Sequence, residues 1–248
     1  MKGTILIAEA DPQEAAKLEA ALGRESVRLP VRAMAGPVRG APPAEVAPGA
    51  RVLSVFIASR VDGETLAALP DLELVTTRST GYDHLDVMAC AARGVSVATV
   101  PSYGENTVAE HTFALILALS RKVHRAWVRT QRGDFSIDGL QGFDLRDRTI
   151  GIVGTGHIGL HVAKIARGFG MEVVASDPRP QPLLAEVLGF RYLPLEELVA
   201  AADIVTLHAP HLPATHHLVD RRLLERCKRG ALLINTARGG LVDTAAVL

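Results

Sequence analysis

The sequence predicts an α/β protein with two parallel sheets, and three observations predict it. Apolar strand-like runs alternate with amphipathic helix-like runs from Thr4 to Asn235. A Pro-Ser-Tyr-Gly joint at Pro101–Gly104 divides that alternation into two halves. The stretch TIGIVGTGHIGLHVAKIARGFGMEVVASD, Thr149–Asp177, reads as strand, glycine turn, helix, strand and acid in register. Parallel βα units imply right-handed crossovers and hence doubly wound sheets.

The elements follow in order. A strand at Thr4–Ala8 leads to a helix near Pro12–Leu22, opened by Asp11 as N-cap with Pro12 in the first helical position. The Pro/Gly-rich stretch Gly36–Gly49 reads as a loop with one short strand before it. A strand at Arg51–Ile57, a helix near Gly63–Ala68 and a strand at Glu73–Thr77 come next, then a polar segment, Arg78–His84. A helix near Asp86–Arg93 and a strand at Val95–Thr99 complete a first domain over residues 1–100. The second domain spans 101–248. It opens with one long helix, Thr107–Gln131. The first part of that helix is apolar nearly all round, which predicts burial between domains, and the second part is amphipathic and basic. A connection at Phe135–Asp147 leads to strands at Thr149–Val153, Glu172–Ser176, Phe190–Leu193, Ile204–Leu207 and Ala231–Asn235. Helices are expected near Pro182–Leu188, Leu195–Ala201 and Arg221–Cys227.

The bulk properties exclude several classes. The 248 residues carry 27 basic and 27 acidic side chains, with 48% hydrophobic and 22% charged residues and a pI of about 7.1. Nothing in that balance points to nucleic acid or to an anionic membrane surface. Cys90 and Cys227 form no motif, which fits a reduced, cytoplasmic setting. Met1-Lys2-Gly3 leads straight into the first strand with no signal peptide, and the longest apolar run, Phe113–Leu119, is too short to span a bilayer.

The glycine turn carries the chemistry. Gly154 permits a tight turn, Gly156 lets the backbone approach a pyrophosphate, and Gly159 lets the helix pack close to the strand. The helix N-terminus offers N–H groups and partial positive charge to phosphates. Asp177 stands 18 positions after Gly159, where a carboxylate accepts from ribose hydroxyls and disfavours a 2′-phosphate, so the expected cofactor is NAD. A glycine-rich turn of a non-binding sheet would leave Asp177 a coincidence. Arg179 is read as a solvated residue beside the adenine, although a nearby arginine can also serve a 2′-phosphate. Two further strands stop abruptly at polar groups, one at His208-Ala209-Pro210 with Thr215 in the following loop, the other at Asn235-Thr236-Ala237-Arg238. The Arg238 fork could grip a carboxylate with two parallel hydrogen bonds and polarise an adjacent carbonyl, although an arginine after a strand is also read as an ordinary surface residue.

These segments resemble the D-isomer-specific 2-hydroxyacid dehydrogenases, in particular the D-lactate dehydrogenase-like branch. The matching text is STGYDHLD at Ser79–Asp86, VPSYGENTVAEHT at Val100–Thr112, GIVGTGHIG at Gly151–Gly159, VTLHAPHLPATHHL at Val205–Leu218 and KRGALLINTARGGLVD at Lys228–Asp243. Residues 1–70 match only in general βα pattern. The resemblance implies two Rossmann-like domains, the first flavodoxin-like, with the active site in the cleft between them. It implies reduction of a small 2-keto acid to a D-2-hydroxy acid, or the reverse, by hydride transfer with nicotinamide. Arg238 would then bind the substrate carboxylate as the catalytic arginine, with Ser79, Thr80, Gly81, Tyr82 and Tyr103 on the substrate side. Cofactor contacts would fall on Gly154, Gly156, His157, Ile158, Gly159, Asp177, His208, Ala209, Pro210, Thr215, Thr236, Ala237 and Arg238. The Thr107–Arg129 helix region resembles the family's dimer-forming element, which implies a homodimer.

One departure stands against the family pattern. The family's acid/base His and the Glu that orients it lie beyond the arginine, and no residue here matches either, nor is there a sixth strand in the second sheet. The expectation is a chain lacking the C-terminal part of the family fold, with little stability and no turnover of its own. A non-catalytic NAD-binding relic or regulatory dimer is the alternative reading. An adenosylhomocysteine-type hydrolase is disfavoured by Arg238 and Tyr82. His208 belongs to the cofactor loop. His211, His216 and His217 read as a solvated turn without carboxylate or thiolate partners, so no metal is expected. His84 sits in the substrate loop, and His111, His124 and His161 read as packed or exposed helical residues.

Overall fold

The structure, a computed structural model, describes residues 3–25, 27, 29–40 and 49–248. The chain divides into two compact units, Met1–Tyr103 and Gly104–Leu248. Within the Gly36–Gly49 loop, positions 41–48 lie outside the described residues, as do Met1 and Lys2.

The first unit runs β1 (Thr4–Ala8), α1 (Pro12–Arg24), β2 (Val31–Met34), β3 (Ala50–Val55), α2 (Gly63–Ala68), β4 (Leu74–Thr77), α3 (Val87–Ala92) and β5 (Ser96–Ala98). All its strand pairs are parallel, in the order β2-β1-β3-β4-β5, the flavodoxin-like order. Leu6, Leu53, Leu66, Val75 and Cys90 form the centre of its core. Asp11 caps α1 by accepting from the Glu14 N–H at 2.8 Å. β3 stops at Val55, short of the expected Ile57. The cause is Glu9, held at φ +54°, whose carboxylate takes the N–H groups of Phe56, Ala58 and Ser59 and the Ser59 hydroxyl away from the ladder. Arg78, just past β4, donates to the carbonyls of Ala8 and Glu9, to Ser54 Oγ and to Glu14 Oε1, which ties the C-terminal ends of β1, β3 and β4 to α1.

The second unit begins with α4 (Glu105–Ser120) and α5 (Val123–Gln131), two helices where the sequence pattern suggests one. The Ser120 carbonyl accepts from the Phe143 N–H at 3.1 Å instead of continuing the helix, and Lys122 takes a left-handed φ of +53°. Burial on α4 is confined to a stripe of Ala109, Thr112, Phe113, Ile116 and Ser120, so its apolar character does not translate into burial all round. Phe113 and Ile116 share a core with Val162, Ala163 and Ala166. Leu115 and Leu119, off that stripe, are exposed.

Then come β6 (Thr149–Val153), α6 (His157–Gly168), β7 (Glu172–Ser176), α7 (Pro182–Leu188), β8 (Arg191–Tyr192), α8 (Leu195–Ala201), β9 (Ile204–Leu207), α9 (Arg221–Leu224), β10 (Leu232–Asn235) and α10 (Thr244–Val247). The sheet is wholly parallel in the order β10-β9-β6-β7-β8. Counted within the unit this is 5-4-1-2-3, the Rossmann order over five strands, and it places the topological switch point between β6 and β9. Every residue of β9 is buried, and so is every residue of β6 after Thr149, as expected for central parallel strands covered on both faces. Among the described residues no helix is long and apolar enough to cross a membrane.

Candidate functional site: the glycine turn and the ends of the second sheet

The C-terminal ends of β6, β7, β9 and β10 carry most of the residues singled out in the sequence. After β6 the chain turns through Gly154 at φ +95°, and the Gly154 N–H is held by the Ser176 carbonyl at 2.9 Å. A Cβ at Gly154 would lie 2.8 Å from the His208–Ala209 peptide, so glycine is required both by the dihedral and by the close approach of the β9 loop. Gly159 faces the Gly154 carbonyl so closely that any Cβ there would overlap it. Gly156 differs: among the described residues, no atom beyond its own chain neighbours lies within 4 Å of its would-be Cβ. That open space stands before the first turn of α6, which no side chain caps. A pyrophosphate needs such a cradle, so the turn fits a dinucleotide. Ile158 packs partly buried against the core under α6, and the His157 Nδ1 lies 3.5 Å from Glu105 Oε1 at the start of α4.

Asp177, just past β7, is fastened to the same turn. Its Oδ2 accepts from the Thr155 N–H at 2.7 Å and from Thr155 Oγ1 at 3.2 Å, and its Oδ1 accepts from the Arg179 N–H at 2.8 Å. Thr155 Oγ1 lies 2.8 Å from Tyr192 Oη, and the Gln181 side-chain amide donates to the Thr155 carbonyl at 3.2 Å. The acid is therefore held at the turn, close to where a ribose beside the pyrophosphate would lie.

The β9 end is apolar in its electrostatics. His208 Nε2 lies 3.0 Å from Thr206 Oγ1, and burial pushes the His208 imidazole pKa down to about 4, so the ring is neutral near pH 7. Ala209 and Pro210 follow. Thr215 Oγ1 donates to the Pro210 carbonyl at 2.7 Å and accepts from the Leu212 N–H at 2.8 Å, which commits its hydroxyl to closing its own loop. That loop is zipped to the chain after β10: His217 N–H donates to the Gly240 carbonyl and Val219 N–H to that of Leu241. His211 Nε2 lies 3.1 Å from His216 Nδ1, and His216 stacks on His217.

At the β10 end, Asn235 shapes the turn that presents Arg238. Its Oδ1 accepts from the Ala237 N–H at 3.0 Å and its Nδ2 donates to the Arg238 carbonyl at 2.9 Å. Thr112 Oγ1 donates to the Val108 carbonyl, so in its 3.1 Å contact with Thr236 Oγ1 it is the acceptor. One Arg238 amine donates to the Ala237 carbonyl at 3.1 Å. A recess of about 470 Å³ opens beside this turn, lined by Thr107, Val108, His111, Leu115, Asn235, Thr236 and Ala237. It falls within the size range of small-ligand sites.

In the first unit, the Ser79–Tyr82 loop has an internal hydrogen-bond order that can be assigned. Ser79 Oγ donates to the Gly81 carbonyl at 2.7 Å, so it accepts from Thr77 Oγ1, also at 2.7 Å. Thr77 in turn accepts from His84 Nε2 at 3.1 Å, which assigns the Nε2–H tautomer. Ser79 is buried, whereas Thr80, Tyr82 and Tyr103 are exposed. Sequence reasoning missed Thr155, Tyr192, Gln181 and Glu105. The middle threonine of Gly-Thr-Gly was the one available signal, since a buried hydroxyl there requires a partner.

Two parallel sheets of flavodoxin-like and Rossmann-like order, with an acid fastened to a glycine turn at the switch point, define a dinucleotide-binding α/β protein. Residues 113–248 match the family described as D-isomer specific 2-hydroxyacid dehydrogenase, NAD binding domain. The chain belongs to that family, whose matched domain is an NAD-binding one. It is 45% identical over 208 residues to the 2-hydroxyacid dehydrogenase homolog 1 of Schizosaccharomyces pombe, a match covering 83% of this chain and 62% of that protein. It is 34% identical over 207 residues to the D-lactate dehydrogenase of Escherichia coli, covering 83% of this chain and 63% of that one. The crystal structure of D-lactate dehydrogenase from Aquifex aeolicus, complexed with NAD and lactic acid, superposes with a TM-score of 0.90 at 35% identity, covering 98% of this chain and 72% of that one. The matched stretch thus spans less than two thirds of the length of these two curated relatives.

Proposed function

We propose that this protein is an NAD-dependent oxidoreductase interconverting a small 2-keto acid of the pyruvate class and the matching D-2-hydroxy acid. The observation that carries the reading is the Thr155–Asp177 junction at the end of β6 and β7, which sets a fixed carboxylate beside an open Gly156 cradle. The name of the Aquifex aeolicus structure, with NAD and lactic acid, supports the substrate class.

NAD, when bound, supplies hydride exchange at its nicotinamide ring. The chain's own residues bind and orient. The Gly154–Gly159 turn and the α6 N-terminus take the pyrophosphate, with His157 and Ile158 on its flank. Asp177 takes the adenosine ribose. The His208-Ala209-Pro210 and Thr236-Ala237 ends bound the nicotinamide side, with Thr215 closing the first of these loops. Arg238 grips the substrate carboxylate through its fork and polarises the neighbouring keto oxygen. Ser79, Thr80, Gly81, Tyr82 and Tyr103 are the proposed substrate-side residues of the first unit, so that residues 1–100 serve substrate and 101–248 serve cofactor. These residues supply binding and orientation. The proton-transfer pair of the family matches no residue among them.

The partner proposed is a second copy of this chain. Leu115 and Leu119 on α4, and Val123 and Trp127 on α5, are i,i+4 pairs of exposed apolar residues, with Trp127 63% exposed. Large exposed aromatic and aliphatic groups on adjacent helices suit a subunit interface. A cytoplasmic setting fits the two unpaired cysteines.

The test is calorimetric titration of the NADH-loaded protein with oxamate, a pyruvate mimic, together with NADH oxidation across a panel of 2-keto acids. The proposal expects oxamate to bind only the loaded protein. Arg238→Gln is expected to lose at least about tenfold in oxamate affinity, the scale of a charge-assisted hydrogen bond, with NADH affinity unchanged. Equal oxamate binding by Arg238→Gln would overturn the assignment of Arg238.

A further inference from the structure

The acid that faces the ribose is the last member of a one-way chain of hydrogen bonds. Asp177, when ionised, can only accept, so the Thr155 hydroxyl donates to it. Thr155 Oγ1 must then accept a hydrogen bond from Tyr192 Oη, 2.8 Å away. Tyr192 Oη in turn accepts from the Gln181 N–H at 3.1 Å. The order is therefore Gln181 N–H to Tyr192 O–H to Thr155 O–H to the Asp177 carboxylate, with every donor satisfied. Thr155, the middle link, is 1% exposed and so is shielded from competing water, while Tyr192 and Asp177 are half-buried and Gln181 is exposed. Tyr192 is itself fixed. Its backbone pairs with Ala175 in β7, and its ring meets Phe190 edge-on with centroids 5.3 Å apart.

We infer that Tyr192, acting through Thr155, is a positioning residue that makes the cofactor site select NAD over NADP. The inference rests on the reading of Asp177 as the ribose-binding acid. A carboxylate rejects a 2′-phosphate only if it cannot swing aside, because an unrestrained side chain escapes the repulsion by changing rotamer. Three donors hold Asp177 here, and two of them come from Thr155. Among the described residues Oδ1 accepts only from the Arg179 N–H, which leaves it acceptor capacity for a ribose hydroxyl. Arg179, two positions on, is exposed. If Asp177 loosens, that guanidinium becomes a partner for a 2′-phosphate. Loss of the Tyr192 hydroxyl therefore acts in both directions, weakening NADH and admitting NADPH.

The test measures dissociation constants of NADH and NADPH by calorimetry, with thermal unfolding alongside, on the full chain and three variants. Tyr192→Phe and Thr155→Val are expected to lower the NADH-over-NADPH preference by about tenfold, the scale of one hydrogen bond. Thr155→Ser, which keeps a hydroxyl, is expected to retain the preference. General damage to the fold lowers both affinities together and leaves their ratio in place. A ratio unchanged in Tyr192→Phe and Thr155→Val, or lowered equally in Thr155→Ser, would overturn the inference while leaving the cofactor site intact. Failure of the unaltered protein to bind NADH would remove the cofactor reading itself, and this inference with it.

Discussion

The Gly159 Cα lies against the Gly154 carbonyl, with no room for a methyl group between them. This contact brings α6 down onto β6 and aims its N-terminus across the glycine turn. Gly159→Ala forces the helix outward, at a cost of about 1–3 kcal/mol typical of overpacking. Both the unfolding temperature and NADH affinity should fall. Gly156→Ala is the contrasting variant. Its φ of −67° is ordinary and its surroundings are open, so stability should stay within about 0.5 kcal/mol. NADH affinity should still drop, because the added methyl stands where the pyrophosphate approaches. Thermal unfolding and NADH titration on both variants separate the two roles, and a Gly156→Ala protein with full NADH affinity would contradict the assignment of the cradle.

His208 predicts a pH window. Folded, burial holds its pKa near 4, whereas an unfolded histidine takes up its proton near 6.5. Between those values the unfolded state binds more protons, so stability rises with pH. The contribution is complete above pH 6.5 and is lost as pH falls toward 4, by at most about 3 kcal/mol. Urea unfolding at pH 7.0 and 5.0 should show this slope in the unaltered protein and a shallower one in His208→Gln. Identical slopes would show that His208 titrates normally.

Glu9 acts in a lower window. Its burial works against the charged carboxylate, but hydrogen bonds from the Ser59 hydroxyl and the Ala58, Phe56 and Ser59 N–H groups outweigh that and hold its pKa below the usual value. The stability it supplies is therefore present above about pH 4.5 and is lost as pH falls through its folded pKa. Glu9→Gln turns an amide toward those donors and should cost about 1–3 kcal/mol at pH 7, with the gap narrowing at pH 3.5. Denaturant titrations at the two pH values would check it.

The exposed apolar residues of α4 and α5 predict an association. Leu119→Asp combined with Trp127→Glu should convert a dimer to a monomer in light scattering, at unchanged unfolding cooperativity at low concentration. An unaltered protein that is monomeric at tens of micromolar would refute the dimer.

Much of this was readable from sequence where the signal is local. The glycine turn, Asp177 and the strands around it follow from periodicity and from residues that only one backbone geometry tolerates. Asp11 as N-cap and Pro12 as first helical residue were legible for the same reason. Non-local effects were not. The break between α4 and α5 depends on Phe143 claiming the Ser120 carbonyl, and the early stop of β3 depends on Glu9, far away in sequence. The Tyr192–Thr155–Asp177 chain joins three βα units, and no spacing rule connects them. Low polarity along α4 read as complete burial, yet a helix can bury only the faces that its neighbours cover.

The central claim is that the Gly154–Gly159 turn and Asp177 form an NAD site. Calorimetric titration of NADH into the purified protein and into Asp177→Ala tests it most directly. One saturable site per chain is expected, weakened at least about tenfold by Asp177→Ala. Equal NADH affinity in the two proteins, or no saturable binding to the unaltered one, would contradict it.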